Sequence, residues 1–411
     1  MRLTSIRAAV LALIVAAPMA QAENVRVAVI DPLSGSFAPL GENQLRSWEY
    51  MAEMANKNKW AGEHTLEFVG FDNKAGVQDS LTALKRAIDQ GYRYIAQANS
   101  SGVALALVDA VDKHNARNPG KEIVYFNHGA VDPELTNAKC SFWHFSFDSN
   151  ADMKMQALVN HLSRDQSIKN VYVIGQDYAF GRSVSKSAKE MLGKQRPDIK
   201  IVGDELHPIG MVKDFAPYVA KIKAAGADTV ITGNWGADLS LLIKAARDAG
   251  LEANFYTYYA VLKGAPTAMG DSGLERVKYV GVWNANNDGF VGKDIVDDFQ
   301  QRYKDDFTWM QSHSVVTMLA KAIKESGSAD PVKVAYALED MSATSLNGDI
   351  RMRKDDHQLQ QPLFIGTWSK LDGKAVQIEQ EGTGFGWRTE AVIPAADASL
   401  PTSCQMKRPA R

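Results

Sequence analysis

The chain has 411 residues, a formal net charge of -2 and no strongly basic segment, which argues against nucleic acid as a main partner. Hydrophobic residues make up 45% of the chain and charged residues 23%, as in ordinary globular proteins. The length favours two or three domains, with ample material for large cores.

The N-terminus predicts a signal peptide. "MRLTSIRAAVLALIVAAPMAQA" has two arginines, an apolar run from Ala8 to Ala17 and a small-x-small cleavage pattern at its end. The apolar run is too short for a membrane anchor, and no later run approaches the roughly 20 residues that a bilayer requires. We therefore expect residues 1–22 to be removed and the mature chain, which begins near Glu23, to be exported and soluble.

Cys140 and Cys404 are the two cysteines of the chain. In an oxidising compartment, an isolated pair favours a disulfide over two free thiols. Such a bridge would tie the C-terminal tail to the middle of the chain and would contribute on the order of 4–5 kcal/mol. Without adjacent histidines, the two cysteines do not indicate a zinc site.

After the leader, short apolar strands alternate with amphipathic helices. Strands are predicted in "VRVAVI", "TLEFVGF", "YRYIAQA" and "KEIVYFNHG", and helices around Glu42–Asn58, in "VQDSLTALKRAIDQ" and in "NSSGVALALVDAVDKHN". This alternation predicts an α/β fold with a parallel sheet covered by helices on both faces.

The alternation restarts near Phe147–Met153. Helices are predicted in "MKMQALVNHLSRD", "GRSVSKSAKEMLGKQ", "FAPYVAKIKAAG" and "DLSLLIKAARDAG", and strands in "NVYVIGQ", "IKIVGDELH", "DTVITGNWG" and "FYTYYAV". After Asp271 the pattern is less regular, with a strand in "RVKYVGVWNA" and helices in "KDIVDDFQQRYKDDF", "SHSVVTMLAKAIKESG" and "PVKVAYALEDM". The tail after Gln380 is rich in Pro, Ala, Ser and Thr, which predicts a segment that wraps the surface.

In open parallel sheets, ligands bind beyond the carboxyl ends of the strands. The residues at these positions are small hydroxyls, amides and aromatics: Leu33-Ser34-Gly35, Asn99-Ser100-Ser101, Asn127-His128-Gly129, Gln176 to Phe180, Asn234-Trp235-Gly236 and Tyr258-Tyr259. Ser100 or Ser101 can cap the helix that follows, where free N–H groups and the helix dipole favour an anion. A core position is the usual explanation for a tryptophan such as Trp235, but its neighbours Gly233, Asn234 and Gly236 suggest an exposed loop, where a large ring needs a reason to be present.

Catalytic motifs are absent from the sequence. "GDSG" at Gly270–Gly273 is interpreted as a turn, because the matching protease fold is all-β. His128 follows a strand with Asp132 and Asp177 nearby, but isolated groups of this kind are usually hydrogen-bonding or solvated residues. Arg182 is expected to point to solvent, and the alternative is a carboxylate partner in the cleft. We expect no metal, no cofactor and no enzyme, and a secreted hydrolase is kept as a minor alternative.

Several motifs, in order, resemble the periplasmic branched-chain amino acid binding proteins, which are type I solute-binding proteins of ABC importers. They are "VAVIDPLSGSFAPLGENQLRSWEYMAEMAN", "NSSGVALALVDAV", "DPELT", "DYAFGRSVSKSAKEML", "DFAPYVAKIKAAGADTV" and "IKAARDAGLEANF". The resemblance covers roughly Val25 to Leu371. It implies a periplasmic protein, which we expect to be a monomer, that delivers a small carboxylate-bearing solute to an ABC permease and its ATPase at the inner membrane.

The resemblance also implies the type I periplasmic-binding fold, in which two Rossmann-like lobes with parallel-rich sheets are joined by three hinge strands. Ligand binds between the lobes, which close around it. We expect lobe 1 to comprise 24–147 and 281–345, lobe 2 to comprise 148–279 and 346–385, and a C-terminal tail to comprise 386–411.

Eight positions match the ligand contacts of this family. They are Leu40 in the first loop, Ser100 and Ser101 for the carboxylate, Gly129 and Val131 before "PELT", Phe180, Trp235 and Tyr259. Amino acid binders of the family carry a glutamate at the position of Tyr259, where it pairs with the ligand ammonium. Because a buried ammonium without an anionic partner is costly, we predict a hydrophobic, flat or aromatic carboxylic acid as the ligand.

Two alternatives to this prediction remain open, one for the ligand and one for the functional class. The same scaffold could bind a branched-chain amino acid or an amide, if another acidic group held the ammonium. A periplasmic ligand sensor, which signals to a receptor rather than feeding a permease, is not separated from the importer component by sequence.

Overall fold

The computed structural model describes residues 22–410 and places them in a mixed α/β architecture built on two large sheets. Apart from Ala22, the predicted signal peptide lies outside the described residues. Within 22–410, none of the helices combines the length and the apolar character that a membrane span requires.

The first lobe begins with five strands and three helices: β1 (Asn24–Asp31), α1 (Ala38–Lys57), β2 (Thr65–Asp72), α2 (Val77–Asp89), β3 (Tyr94–Gln97), α3 (Ser101–Arg117), β4 (Val124–Asn127) and β5 (His144–Ser146). The strands are all parallel and lie in the order β2-β1-β3-β4-β5. Every residue of β3 and β4 is buried. Because successive strand side chains point to opposite faces, the sheet is covered on both sides, as the continuous apolar strands predict.

Helix α1 begins four residues before the predicted position at Glu42. Pro39 lies in its first turn, where the fixed φ of proline suits a helix start. A Cβ atom on Gly41 would lie 1.8 Å from the carbonyl oxygen of Pro32, so only glycine allows this close approach. The helix start therefore packs directly on the loop that follows β1.

The second lobe repeats the same plan: α4 (Ala151–Leu162), β6 (Asn170–Gln176), α5 (Ala179–Gln195), β7 (Lys200–His207), α6 (Ala216–Ala224), β8 (Thr229–Thr232), α7 (Gly236–Asp248), β9 (Asn254–Thr257), α8 (Ala265–Met269) and β10 (Val277–Gly281). These five strands are parallel. The chain then returns to the first lobe, where the Phe299 ring contacts the Tyr50 ring of α1 at 5.5 Å.

The remaining elements divide between the lobes: α9 (Lys293–Tyr303), α10 (Gln311–Ser326), α11 (Pro331–Leu338), β11 (Ser342–Ser345), β12 (Gly348–Met352), β13 (Leu359–Gln360), β14 (Leu363–Lys370), β15 (Phe385–Ile393) and α12 (Ala395–Ala398). Strands β11 to β13 form a small antiparallel sheet. Strands β14 and β15 are antiparallel and complete the second large sheet, whose order is β15-β14-β10-β9-β8-β6-β7.

The chain passes between the large sheets after β5, after β10 and before β14. Near these crossings, the side-chain amides of Gln358 and Gln361 donate to the carbonyl oxygens of Asp148 and Phe147, each at 2.8 Å. The two α/β lobes and their three connections confirm the predicted fold class.

Two predicted segment boundaries differ from the observed elements. The boundary after Ser345 falls in the turn of the β11–β12 hairpin, so it would divide one small sheet. The tail predicted from 386 onward instead begins with β15, which pairs along its length with β14. Arg388 and Glu390 are partly exposed on this edge strand, so its composition resembles a surface tail. The other lobe boundaries remain a prediction.

The C-terminal segment after α12 returns to the first lobe. Arg353 donates to the carbonyl oxygen of Leu400 at 2.8 Å, and a disulfide joins Cys404 to Cys140 with a Cα–Cα distance of 5.7 Å. The predicted disulfide is confirmed. The C-terminal segment is therefore a fourth connection between the lobes, and the disulfide attaches it covalently to the first lobe.

Candidate ligand-binding cleft between the lobes

The loops that follow the strands of both lobes enclose a small cavity, whose volume is about 20 Å³. Thirteen residues line it: Ala98, Asn99, Ser100, Ser101, Gly129, Ala130, Val131, Tyr178, Phe180, Trp235, Tyr259, Leu262 and Trp309. Seven of the eight predicted ligand-binding positions are among them, and Leu40 is the exception. Their role in binding stays a prediction, but the structure brings them together around one space.

The first-lobe wall is a strained turn before α3. Ser100 has φ 78° and ψ 112°, a left-handed conformation that is costly for a residue other than glycine. The buried carboxylate of Asp31 accepts the main-chain N–H groups of Ala98 and Asn99 at 3.1 and 3.0 Å, and the Asn99 side-chain amide at 3.0 Å. The turn is thus fixed before any ligand arrives.

Hydrogen-bond donors remain available at this turn. The Ser100 hydroxyl caps no N–H group of α3, and residues 22–410 offer it no other hydrogen-bond partner. The first N–H groups of a helix have no acceptor within the helix, and the helix dipole is positive there. By contrast, Ser101 Oγ accepts the main-chain N–H of Asp132 at 3.1 Å, so this hydroxyl fixes the neighbouring loop. A carboxylate placed here would meet Ser100 and free main-chain donors.

The second-lobe wall consists of aromatic side chains. Phe180 and Trp235 are buried, and the Trp235 indole N–H donates to the Tyr178 hydroxyl at 2.7 Å. The Phe180 ring meets the Tyr259 ring nearly edge-on, with centroids 5.8 Å apart. A Cβ atom on Gly181 would lie 1.8 Å from the Gln176 carbonyl oxygen, so glycine allows the start of α5 to approach β6. This approach brings Phe180 to the cavity.

Leu40 lies outside the cavity lining. It is buried in an adjoining groove beside Gly236. Phe37, three residues earlier, instead contacts the Trp235 ring across the cleft with centroids 4.5 Å apart. Phe37, rather than Leu40, therefore contacts the aromatic wall of the cavity.

Tyr259 spans the cleft. Its hydroxyl donates to the Gly129 carbonyl oxygen in the first lobe at 3.1 Å. The ammonium of Lys154 lies 4.9 Å from the centroid of the Tyr259 ring, and Lys154 forms a buried ion pair with Asp148 at 2.8 Å. Burial lowers the pKa of Lys154 and raises the pKa of Asp148, while their mutual attraction opposes both shifts. Burial also raises the pKa of Tyr259 well above its usual value, so the phenol stays neutral.

The cavity lining carries no charged side chain. Within the described chain, Asp31 lies behind the Ser100 turn with its oxygens bonded to main-chain N–H groups. Asp132 accepts the Glu134 N–H and the Ser183 hydroxyl at 2.9 and 3.3 Å, and burial raises its pKa. Neither acid is among the residues that line the cavity.

Three other predictions concern groups outside the cavity. Gly270–Gly273 forms a short 3-10 turn, as the interpretation of "GDSG" expects. Arg182 is largely exposed and pairs with Asp177 at 2.7 Å, so it points to solvent. His128 is buried between the rings of Trp48 and Trp309, and no hydroxyl in the described chain bonds to its ring nitrogens.

Sequence reasoning missed Trp309 and Phe37. Trp309 is buried and lies against Gly129, where a Cβ atom would be 2.9 Å from its ring. It follows no strand, so a search of strand ends does not find it. The sequence signal that could have located Trp309 is the segment "DDFTWM". It places two large aromatic residues just before a helix, where no predicted strand accounts for them.

Comparison with known proteins identifies the family. A family model described as periplasmic binding protein matches residues 24–374. The chain belongs to the periplasmic binding protein family. Leu/Ile/Val-binding protein homolog 4 of Brucella abortus (strain 2308) is 31% identical over 406 residues, which cover 95% of this chain and 94% of that relative.

Two solved structures place this periplasmic binding protein among proteins of the same fold. The leucine-, isoleucine-, valine-, threonine- and alanine-binding protein of Brucella ovis, in a closed conformation, is 30% identical, with a TM-score of 0.82 and coverage of 94% of this chain and 100% of that chain. A solute-binding protein of an ABC transporter from R. palustris, in complex with benzoate, is 19% identical, with a TM-score of 0.77 and coverage of 93% and 99%.

Proposed function

We propose that the cleft binds a small aromatic carboxylic acid, of which benzoate is the simplest example, and that the protein delivers it to the permease of an ABC importer. The ligand carboxylate would lie at the Ser100 turn and its ring between Phe180, Trp235 and Tyr259. We expect binding without turnover, since within residues 22–410 no hydroxyl or thiol is hydrogen-bonded to the buried ring of His128.

The uncharged lining of the cavity is the observation that carries this proposal. A ligand ammonium would be buried against aromatic rings and main-chain groups without an anionic partner, which is strongly unfavourable. A carboxylate, in contrast, would gain charge-assisted hydrogen bonds from the Ser100 hydroxyl and the start of α3. The site is therefore suited to an anion with an apolar body rather than to a zwitterion.

The size of the cavity supports a small solute. Its volume of about 20 Å³ is far below the roughly 300–1,000 Å³ of common ligand sites, so the cleft must open for a solute to enter, and a compact solute requires the smallest displacement. Phe180, Trp235 and Tyr259 all line the cavity, and a planar ligand ring can pack against aromatic side chains with little loss of conformational freedom.

A branched-chain amino acid is the second candidate. It is supported by the names of the two relatives at about 30% identity, which describe leucine, isoleucine and valine binding. The benzoate complex supports the first candidate, but at 19% identity it supports no more than the fold's capacity for such ligands. The two candidates differ by one group, the α-ammonium.

Calorimetric titration of protein purified without added solute separates the candidates. We expect benzoate or a hydroxybenzoate to bind with a Kd near 1 μM, about -8 kcal/mol, and leucine, isoleucine and valine to bind at least about tenfold more weakly. Leucine binding at micromolar affinity with no response to benzoates would overturn the proposal.

The cellular setting is part of the same proposal. The predicted cleavage after Ala22 would release a monomer into the periplasm, where the closed form docks on a permease coupled to an ATPase. N-terminal sequencing of the mature protein should begin near Glu23, and native mass spectrometry should give one chain per particle. Loss of benzoate uptake in cells that lack the protein would distinguish an importer component from a sensor.

A further inference from the structure

The binding proposal leaves unexplained a buried ion pair beside the cleft. Lys154 in the first turn of α4 and Asp148 just before that helix have side chains that are 2% and 1% exposed. Burying two charges is costly, and apolar side chains of similar size are often as stable or more so. Packing alone does not require charged groups at these positions.

The ion pair lies against one wall of the cavity. Lys154 is not among the lining residues, whereas Tyr259 is, and the Lys154 ammonium lies 4.9 Å from the centroid of the Tyr259 ring. The Tyr259 hydroxyl is committed to the Gly129 carbonyl oxygen. The ring thus stands between the cavity and a fixed positive charge.

We propose that the Lys154–Asp148 pair biases which solutes the cleft accepts, by placing an ammonium against the Tyr259 ring and so weakening the binding of solutes that carry an ammonium group. This inference rests on the proposed binding of a carboxylate in the cleft. Both ion-pair residues act through Tyr259 and are therefore positioning residues.

The physical reason lies in the charge distribution of the ring. An aromatic face attracts a cation through its negative quadrupole, and this attraction could partly replace a missing carboxylate. At Tyr259 the Lys154 ammonium already draws π-electron density toward its own side of the ring, so the other face attracts a second cation less strongly. A ligand ammonium on the cavity side would meet a ring polarised toward Lys154 and a like charge behind it. Asp148, whose carboxylate lies 2.8 Å from the Lys154 ammonium, is the counter-charge of Lys154.

A matched pair of probes isolates the ammonium. Leucine and 4-methylpentanoate share their carbon skeleton and carboxylate and differ by the α-amino group alone. The quantity measured by calorimetry is the ratio of their Kd values, leucine over 4-methylpentanoate. Loss of packing would weaken both probes together and leave this ratio unchanged.

Charge changes at the ion pair should move the ratio in opposite directions. Lys154→Met leaves Asp148 without a counter-charge, so the ratio should fall by about tenfold or more. Asp148→Asn leaves Lys154 uncompensated, so the ratio should rise. The double variant Lys154→Met/Asp148→Asn, which buries no lone charge, should lower the ratio by about three- to tenfold. Lys154→Arg, which keeps the charge over the ring, should leave it within about twofold.

These outcomes separate the inference from the binding proposal. If benzoate binds the wild-type protein but the ratio is the same in all variants, the ion pair is not a specificity determinant and the proposed function stands. If no carboxylate binds the wild-type protein, the proposed function fails first. Should the double variant not fold, the opposite shifts of the two single variants decide the question, and shifts in the same direction would overturn the inference.

Discussion

The two walls of the cleft are built by different means. The first-lobe wall presents main-chain donors at a left-handed turn at Ser100, which the buried carboxylate of Asp31 holds, beside the ring of Trp309. The second-lobe wall is made of side-chain rings, and the Lys154–Asp148 pair lies behind it. Main-chain donors suit any carboxylate, whereas rings and charges distinguish one carboxylate from another. Changes in the first wall should therefore lower the affinities of all ligands together, and changes in the second wall should alter the order of those affinities.

Removal of the support under the first wall should have the largest effect. Asp31→Ala leaves the N–H groups of Ala98 and Asn99 without their acceptor, and we expect a loss of about 3–5 kcal/mol in the free energy of unfolding. Chemical denaturation measures this change. Asp109→Ala, which removes an exposed carboxylate from α3, should cost less than about 0.5 kcal/mol. Equal effects of the two substitutions would mean that Asp31 does not hold the turn.

An acidic group in the second wall should reverse the order of the ligands. In Tyr259→Glu, the new carboxylate would repel a ligand carboxylate and remove a ring, so benzoate affinity should fall by about 2–4 kcal/mol. Leucine binding should improve, because its ammonium gains a partner. Tyr259→Phe is the matched control, since it loses the hydrogen bond to Gly129 and keeps the ring, and calorimetry should show an unchanged order. Weaker leucine binding in Tyr259→Glu would argue against this placement of the residue.

Removal of the first-wall hydroxyl should weaken binding without changing the order. Ser100→Ala deletes one charge-assisted hydrogen bond, and we expect a loss of about 1–3 kcal/mol for every carboxylate tested. Ser272→Ala, an exposed serine in the 3-10 turn of "GDSG", should bind as the wild type does. A change in the ratio of benzoate to 4-methylpentanoate affinity would show that Ser100 also discriminates between ligands.

The smallest predicted effect is a pH dependence of the free energy of unfolding. It arises at the rim of the cleft, where the two walls meet. Asp306 of the first lobe accepts the main-chain N–H of Glu381 from the second lobe at 2.7 Å. Burial, with the nearby carboxylates of Glu381, Asp305 and Glu379, raises the pKa of Asp306 to about 6. A raised pKa means that the folded protein favours the protonated acid. The resulting stability is present below the ordinary value of 3.8 and is lost as pH rises through about 6.

The Asp306→Asn variant isolates this contribution. The unfolding free energy of the wild type, relative to the variant, should rise by about 1 kcal/mol between pH 7.5 and pH 5. The comparison with the variant cancels His313, whose burial lowers its pKa to about 4 and acts in the opposite direction. A flat difference over this range would place Asp306 in solvent.

Most of the fold could be predicted from the sequence, because the patterns that indicate strands and helices are local in the chain. Apolar strands and helical spacing predicted β1 to β4, β6 to β10 and the main helices, and strand ends located Ser100, Phe180, Trp235 and Tyr259. Strand β15 was missed because Arg388 and Glu390 interrupt its apolar pattern, and only its pairing with β14 makes it a strand. Edge strands owe their conformation to a partner rather than to their own composition.

The features that organise the site depend on contacts between distant residues. Asp31 and Asn99 are separated by 68 positions, and nothing in "VAVID" indicates that its last carboxylate will hold a turn two strands away. Lys154 lies in a helix of good amphipathic pattern, "MKMQALVNHL", where a lysine is normally solvent-exposed. Its burial depends on Asp148 and on a tyrosine more than a hundred residues later, so the charge arrangement behind the wall became visible only in the folded chain.

The disulfide between Cys140 and Cys404 makes a covalent ring of most of the molecule. The ring spans 264 positions and contains the whole second lobe, from α4 to β15. A protease that cuts one peptide bond inside this ring yields two fragments that remain one molecule, with unchanged mass apart from one added water. They would separate on a gel only after reduction. A nicked protein would therefore keep both halves of its cleft together, so damage to a loop need not release a lobe.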